Sequence, residues 1–253
     1  MGPVTMNGPM GQSRAQGDAW FTTTHWSVVV AAGKAASPQA TAALETLCRT
    51  YWFPLYAYLR RRGYRAEDAQ DLTQDFFARL LQKNLPAQAD HTRGKFRSFL
   101  LLTLNHFLAD QREKAAARKR GGERVLLSLD IEAPEERYQL EPADETTPEK
   151  LFDRQWALTV LDQARERLRL EYVTDGKAGT YAVLQAFEPG EQKTLTYAQA
   201  ADRLGVSESA LKSMIHRLRR RHRELVREQI AQTVSTASEI DEELRHLIAV
   251  ISE

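Results

Sequence analysis

Apolar residues return at helical spacing along most of this chain, and no stretch alternates in the way paired strands require. From Pro38 to Arg62, Leu44, Leu47, Tyr51, Leu55, Tyr58 and Leu59 fall on one side of a helix. Ser37-Pro38 precedes it as a start signal, a capping hydroxyl followed by proline at the first helical position, and Gly63 closes it. Pro54 lies inside and predicts a kink or a split. Further helices are predicted over Glu67 to Lys83, Arg93 to Ala117, Leu151 to Tyr172 and, shorter, Tyr181 to Phe187. An amphipathic segment starting at Ser238 carries Ile240, Leu244, Leu247, Ile248 and Ile251. Upstream, Trp26 with Val28, Val29 and Val30 predicts a short helix within Trp20 to Ala32. Between the two helical blocks, one short strand-like run, Val125-Leu126-Leu127, sits in a stretch that otherwise reads as linker. The expected class is all-α, with two helical domains joined by that linker.

The strongest local pattern is Tyr197 to Arg223, which reads as a helix-turn-helix with a basic end. Ala200, Ala201 and Leu204 give a short helix an apolar side, and Gly205 ends it, because only glycine enters the left-handed conformation at little cost. Ser207 is placed to cap the next helix, with Glu208 in its first turn. Leu211, Met214, Ile215 and Leu218 then face inward, which leaves Ser209, Lys212, Ser213, His216, Arg217 and Arg220 outward. A helix with a polar and basic outer face across a short glycine turn suits the DNA major groove. The expected organisation is an N-terminal tail with a short helix (1–36), a helical domain (37–122), an acidic linker (123–149), a helix-turn-helix domain (150–230) and an amphipathic tail (231–253).

Charge changes this picture by its distribution rather than its sum. The 253 residues carry a formal net charge of +1. Cations nevertheless concentrate from Arg112 to Arg124 and from Arg203 to Arg223, while Asp130 to Asp153 is acidic. Two basic segments separated by a stretch that DNA repels suggest two nucleic-acid contacts joined by a linker. The single cysteine, Cys48, excludes an intramolecular disulfide and a multi-cysteine zinc site. The first nineteen residues lack the apolar run of a signal peptide, and no segment approaches the roughly 20 apolar residues that span a bilayer. A soluble cytoplasmic protein with no membrane partner is expected.

Two further stretches carry candidate chemistry. In DAQDLTQDFFARLL, Leu72, Phe76, Phe77, Leu80 and Leu81 form an apolar face, while Asp68, Asp71 and Asp75 line another side with Gln74 between them. Asp71 and Asp75 repel each other at i,i+4, so the stripe invites a basic partner surface. Around the helix that starts near Phe96, Arg93, Lys95, Asn105 and Arg112 are the candidate nucleic-acid contacts, and the Phe residues are expected in the core. Asp68, Asp71, Asp75, His91, His106 and Asp110 lack the Glu-x-x-His spacing of di-metal bundles. No Gly-rich phosphate loop or nucleophile motif is present either, so no catalytic residue, metal or cofactor is expected.

Taken in order, DAQDLTQDFFARLL, RGKFRSFLLLTLNHFLADQR and YAQAADRLGVSESALKSMIHRLRRRHREL resemble the extracytoplasmic-function group of bacterial RNA polymerase sigma factors, of the sigma-70 class. The resemblance spans about Thr41 to Gln229. It implies an alternative sigma factor that binds core RNA polymerase and directs promoter-specific initiation. Asp68, Asp71, Gln74 and Asp75 would meet the clamp helices of the β′ subunit, with the β subunit also in contact. Arg93, Lys95, Asn105 and Arg112 would engage the −10 element, and Ser209, Lys212, Ser213, His216, Arg217 and Arg220 the −35 element. The linker would thread the channel of the core enzyme, and the protein would join the nucleoid when in holoenzyme. An anti-sigma factor and a regulatory kinase are candidate further partners. The chain departs from the family pattern where Phe stands near Phe99 in place of a usual Trp, and where Asp110 comes five residues after Asn105 rather than four. The alternative reading is a stand-alone helix-turn-helix regulator that leaves the primary sigma factor in place and binds DNA tightly by itself.

Overall fold

A computed structural model describes residues 38–82, 95–117, 134–140, 146–188, 190, 195–234 and 236–252. The short helix expected in Trp20 to Ala32, the run Val125-Leu126-Leu127 and Arg93 lie outside them. Among the described residues the chain is all-α, with no strand. The helices are α1 (Pro38–Arg61), α2 (Ala66–Gln82), α3 (Phe96–Ala117), α4 (Pro134–Gln139), α5 (Pro148–Thr174), α6 (Ala178–Leu184), α7 (Tyr197–Leu204), α8 (Glu208–Ala231) and α9 (Ala237–Ser252). A 3-10 turn, Gln185–Phe187, follows α6.

Helix α1 spans Pro38–Arg61 and is not split at Pro54, while Ser37 lies outside the described residues. Residues 51–59 are buried on every side, and Tyr51, Trp52, Phe53, Leu55, Tyr56, Tyr58 and Leu59 are each at most 3% exposed. A proline inside a helix costs about 3 kcal/mol. Each large apolar side chain buried returns about 1.5–3 kcal/mol, so packing on all sides outweighs the missing N–H. After Arg61 the chain closes with Tyr64 N–H donating to the Leu59 carbonyl at 3.2 Å, around Gly63 at φ 88°.

Helix α5 is the spine. Thr147 caps it, its hydroxyl accepting from Lys150 N–H at 3.3 Å, and Pro148 follows as the first helical residue. Leu151, Phe152, Trp156, Ala157, Val160, Ala164 and Leu168 are buried along it, facing α1, α8 and α9 in turn. Helix α2 lies on α1, and aromatic rings join α3 to both. Phe107 sits 5.8 Å from Phe76, and Phe96 meets Tyr51 edge-on at 5.1 Å. The buried side chains of both halves form one continuous apolar cluster.

The stretch expected as bare linker contains α4, and the packing explains it. Glu135 accepts from Arg60 at 2.9 and 2.7 Å and from the Tyr56 hydroxyl at 2.5 Å, while the Arg137 guanidinium lies 4.0 Å over the Phe53 ring. A six-residue helix is unstable alone. These contacts with α1 supply what its own length does not.

Candidate functional site

The segment from α7 to α8 is built as its residues predict. Thr196 and Gln199 form a reciprocal cap, with Gln199 N–H donating to the Thr196 hydroxyl at 3.2 Å and Thr196 N–H donating to the Gln199 side chain at 3.0 Å. Gly205 ends α7 at φ 64° and ψ 34°, which brings Val206 N–H to the Ala201 carbonyl at 3.0 Å. The Ser207 hydroxyl accepts from Ala210 N–H at 3.2 Å and starts α8. Ala200, Ala201, Leu211, Ile215 and Leu218 are buried where the two helices meet, and Met214 is half-buried.

This burial turns Ser209, Lys212, Ser213, His216, Arg217 and Arg220 outward, and all six are exposed. The Lys212 ammonium lies 5.8 Å over the Tyr197 ring, and Arg220 pairs loosely with Glu224 at 3.2 Å on an exposed turn. Neighbouring arginines of the same basic run are committed elsewhere. Arg219 donates to the Phe187 carbonyl at 3.0 and 2.7 Å and so secures the 3-10 turn. Arg221 holds Glu171 of α5 at 2.9 and 2.7 Å, and Glu228 at 3.1 Å. Hydrogen bonding from Arg221 keeps the Glu171 carboxyl below its ordinary range. The basic end therefore divides into an outward set and a set that fastens α8 to the rest of the fold.

In α2, Asp68 and Asp71 are exposed, while Gln74 and Asp75 are half-buried. The buried side is Ala69, Thr73, Phe76, Phe77 and Leu80, with the Thr73 hydroxyl turned back onto the Ala69 carbonyl at 2.7 Å. The outer end of the stripe thus faces solvent, and its inner end leans on the fold.

The residues expected to engage a nucleic acid near α3 are placed less uniformly. Asn105 and Arg112 are exposed, and seven residues of helix separate them by about 10 Å on one face. Asn105 accepts from the Tyr58 hydroxyl at 3.2 Å and from Arg62, and Arg112 donates to the Tyr64 hydroxyl at 3.0 Å. Lys95, just before α3, turns instead to α9, where its ammonium lies 2.5 Å from Glu243. As expected, Phe96 and Phe107 are core residues, and Phe99 packs half-buried against that core.

Glu243 was not legible as part of this region. It is 2% exposed, and it takes Arg97 at 2.9 and 3.3 Å in addition to Lys95. Burial alone would push its carboxyl up, but the hydrogen bonds from Arg97 and Lys95 outweigh burial and hold it below the ordinary range. Arg97 also pairs with Asp153 of α5 at 2.7 Å and lies 5.4 Å over the Trp156 ring. Asp153 in turn meets His246 of α9 at 3.2 Å. The only signal along the chain is an acidic cluster in the tail, Asp241, Glu242 and Glu243, which by itself reads as a solvated face.

Among the described residues, no group of three or more His, Cys, Asp or Glu is placed to hold a metal ion, and no helix is long and apolar enough to cross a membrane. Comparison with curated proteins and with solved structures gives no match. Residues 49–118 match the sigma-70 region 2 family. That match takes in most of α1 and all of α2 and α3, the aromatic-cored unit that presents Asp68 and Asp71. This part of the chain is similar to sigma-70 region 2, and the similarity supports a sigma-70 class sigma factor that binds RNA polymerase.

Proposed function

We propose that this chain is an alternative sigma factor of the extracytoplasmic-function group, acting in the cytoplasm to direct core RNA polymerase to a particular set of promoters. The observation that carries the reading is the region 2 match over residues 49–118, because that unit exposes an acidic helix end beside a basic and amide-bearing helix. On this reading residues 37–122 form the polymerase and −10 module, 123–149 the acidic linker and 150–230 the −35 module. Asp68, Asp71, Gln74 and Asp75 meet the β′ clamp helices, and Asn105 and Arg112, with Arg93 and Lys95, contact the −10 element. The six outward residues of α8 support reading of the −35 element, since the turn at Gly205 presents them together on one helix face. The chain contributes binding and strand capture in this role, and the polymerase performs the chemistry.

The test is co-elution with bacterial core RNA polymerase on a sizing column, followed by transcription from candidate promoters. Asp68→Lys with Asp71→Lys, both on the solvent side of α2, should abolish co-elution while the helical circular dichroism stays unchanged. Co-elution that survives the double substitution removes the acidic stripe from the interface. No co-elution by the unaltered chain, together with tight duplex binding by the chain alone, transfers the reading to a stand-alone regulator.

A further inference from the structure

We infer that helix α9 is an autoinhibitory strap, in which the Glu243 carboxylate occupies Lys95 and Arg97 in the place of nucleic-acid phosphate. This rests on the proposed role of the α3 region in binding DNA. Three observations support it. First, the two cations lie at the start of α3, and both are drawn onto one buried carboxylate 146 positions away from Arg97. Second, the tail docks by one face only. Ile240 and Leu247 are buried, Leu244 and Val250 pack half-buried against the core and Asp241 pairs with Arg227 at 2.5 Å, while Ile248 and Ile251 on the same helix remain 62% and 40% exposed. Third, the strap is doubled by Asp153, which joins Arg97 at 2.7 Å to His246 at 3.2 Å, so α9, α5 and the start of α3 are tied at one point.

The chemistry makes the two states exclusive. A carboxylate buried at 3% side-chain exposure is tolerated because cations and hydrogen bonds compensate it. When Lys95 and Arg97 turn to a phosphate backbone, Glu243 is left buried without them, and α9 must move out to water. By linkage, whatever draws those cations to DNA weakens α9 docking, and α9 docking weakens DNA contact by the same factor. The strap thus keeps the chain from engaging DNA at α3 until a competing surface displaces the tail. Lys95 is the cation that the opened form presents, and Arg97, still on Asp153 and over the Trp156 ring, joins it only by leaving them.

The experiment compares the full chain, Glu243→Gln and a chain ending at Val234 for binding of a fluorescein-labelled, mixed-sequence single-stranded oligodeoxynucleotide over a salt series, read by anisotropy. Release of Lys95 should steepen the salt slope by about 0.7, at roughly 0.7 per phosphate contact on a single strand, and by about 1.4 where Arg97 also exchanges Asp153 for phosphate, with tighter binding at low salt. Adding Lys95→Ala to Glu243→Gln should remove about 0.7 of the added slope. Unchanged slope and affinity in both opened chains overturn the strap. If Glu243→Gln loses helical signal, or the shortened chain loses more than the sixteen residues of α9 account for, hydrogen exchange on the unaltered protein decides instead. Protection of α9 should fall when the oligonucleotide saturates the chain, and unchanged protection overturns the proposal. Polymerase co-elution bears on the other reading alone: co-elution with no change in slope removes the strap and leaves the sigma role. Steeper slopes without co-elution keep the strap and remove the polymerase.

Discussion

Replacing Gly205 isolates the turn between α7 and α8. Gly205 sits at φ 64° and ψ 34°, and a Cβ built there meets no atom within 4 Å. Gly205→Ala therefore introduces no clash, and its cost is the left-handed backbone alone. That penalty is about 1–2 kcal/mol for a residue with a Cβ, less up to about 1 kcal/mol because alanine also restricts the unfolded chain. A net loss of about 1 kcal/mol follows, or roughly 2–4 °C in Tm for a chain of this size. Gly205→Asn should lose less, since asparagine visits the left-handed region more readily. Urea unfolding followed by circular dichroism, with slope and midpoint fitted for all three proteins, measures it. The reasoning fails if alanine is neutral, or if asparagine is as damaging as alanine. A loss above about 3 kcal/mol would refute the open space around the Cβ, because the backbone term alone does not reach that size.

Other consequences are equally direct. Leu55→Ala, at a side chain with 0% exposure, should cost about 2–5 kcal/mol, and a change under about 1 kcal/mol in urea unfolding would contradict a core built around α1. Thr196→Ala removes one half of the α7 cap and should lose about 1 kcal/mol, with Thr196→Ser restoring most of it; equal midpoints for the two variants would count against the cap. Burial first, and then the neighbouring Glu45, push the Cys48 thiol up to about 12, so iodoacetamide should label it at mildly alkaline pH only as fast as the chain opens. Labelling at the rate of a free thiol would contradict that. Glu243 has a lowered folded-state pKa, so its stabilisation is present above the ordinary glutamate range and is lost as pH falls through the lowered value. Glu243→Gln should accordingly flatten the acid limb of a stability–pH profile, and an unchanged acid limb would deny the ion pair its role.

What the sequence alone determined is what a few neighbouring residues decide. Helical periodicity placed α1, α2, α3, α5, α8 and α9 close to their observed spans. Gly205 and Ser207 marked ends because capping acts among residues at most four apart. The six exposed side chains of α8 were legible for the same reason, since the buried Leu211, Ile215 and Leu218 leave only one outward face. The tertiary structure decided what depends on proximity between distant segments. Pro54 stays in an unsplit helix because the surrounding fold buries it, and the short α4 persists because Arg60, Tyr56 and Phe53 receive it. The arginines of α8 look alike along the chain, yet Arg219 and Arg221 have partners on other elements while Arg217 and Arg220 remain at the surface. Lys95 reads as a cation awaiting a ligand, and only the packing of α9 on α5 brings the Glu243 carboxylate to it and to Arg97. Periodicity specifies which way a side chain faces on its own helix, but the charge it meets there depends on how the helices pack.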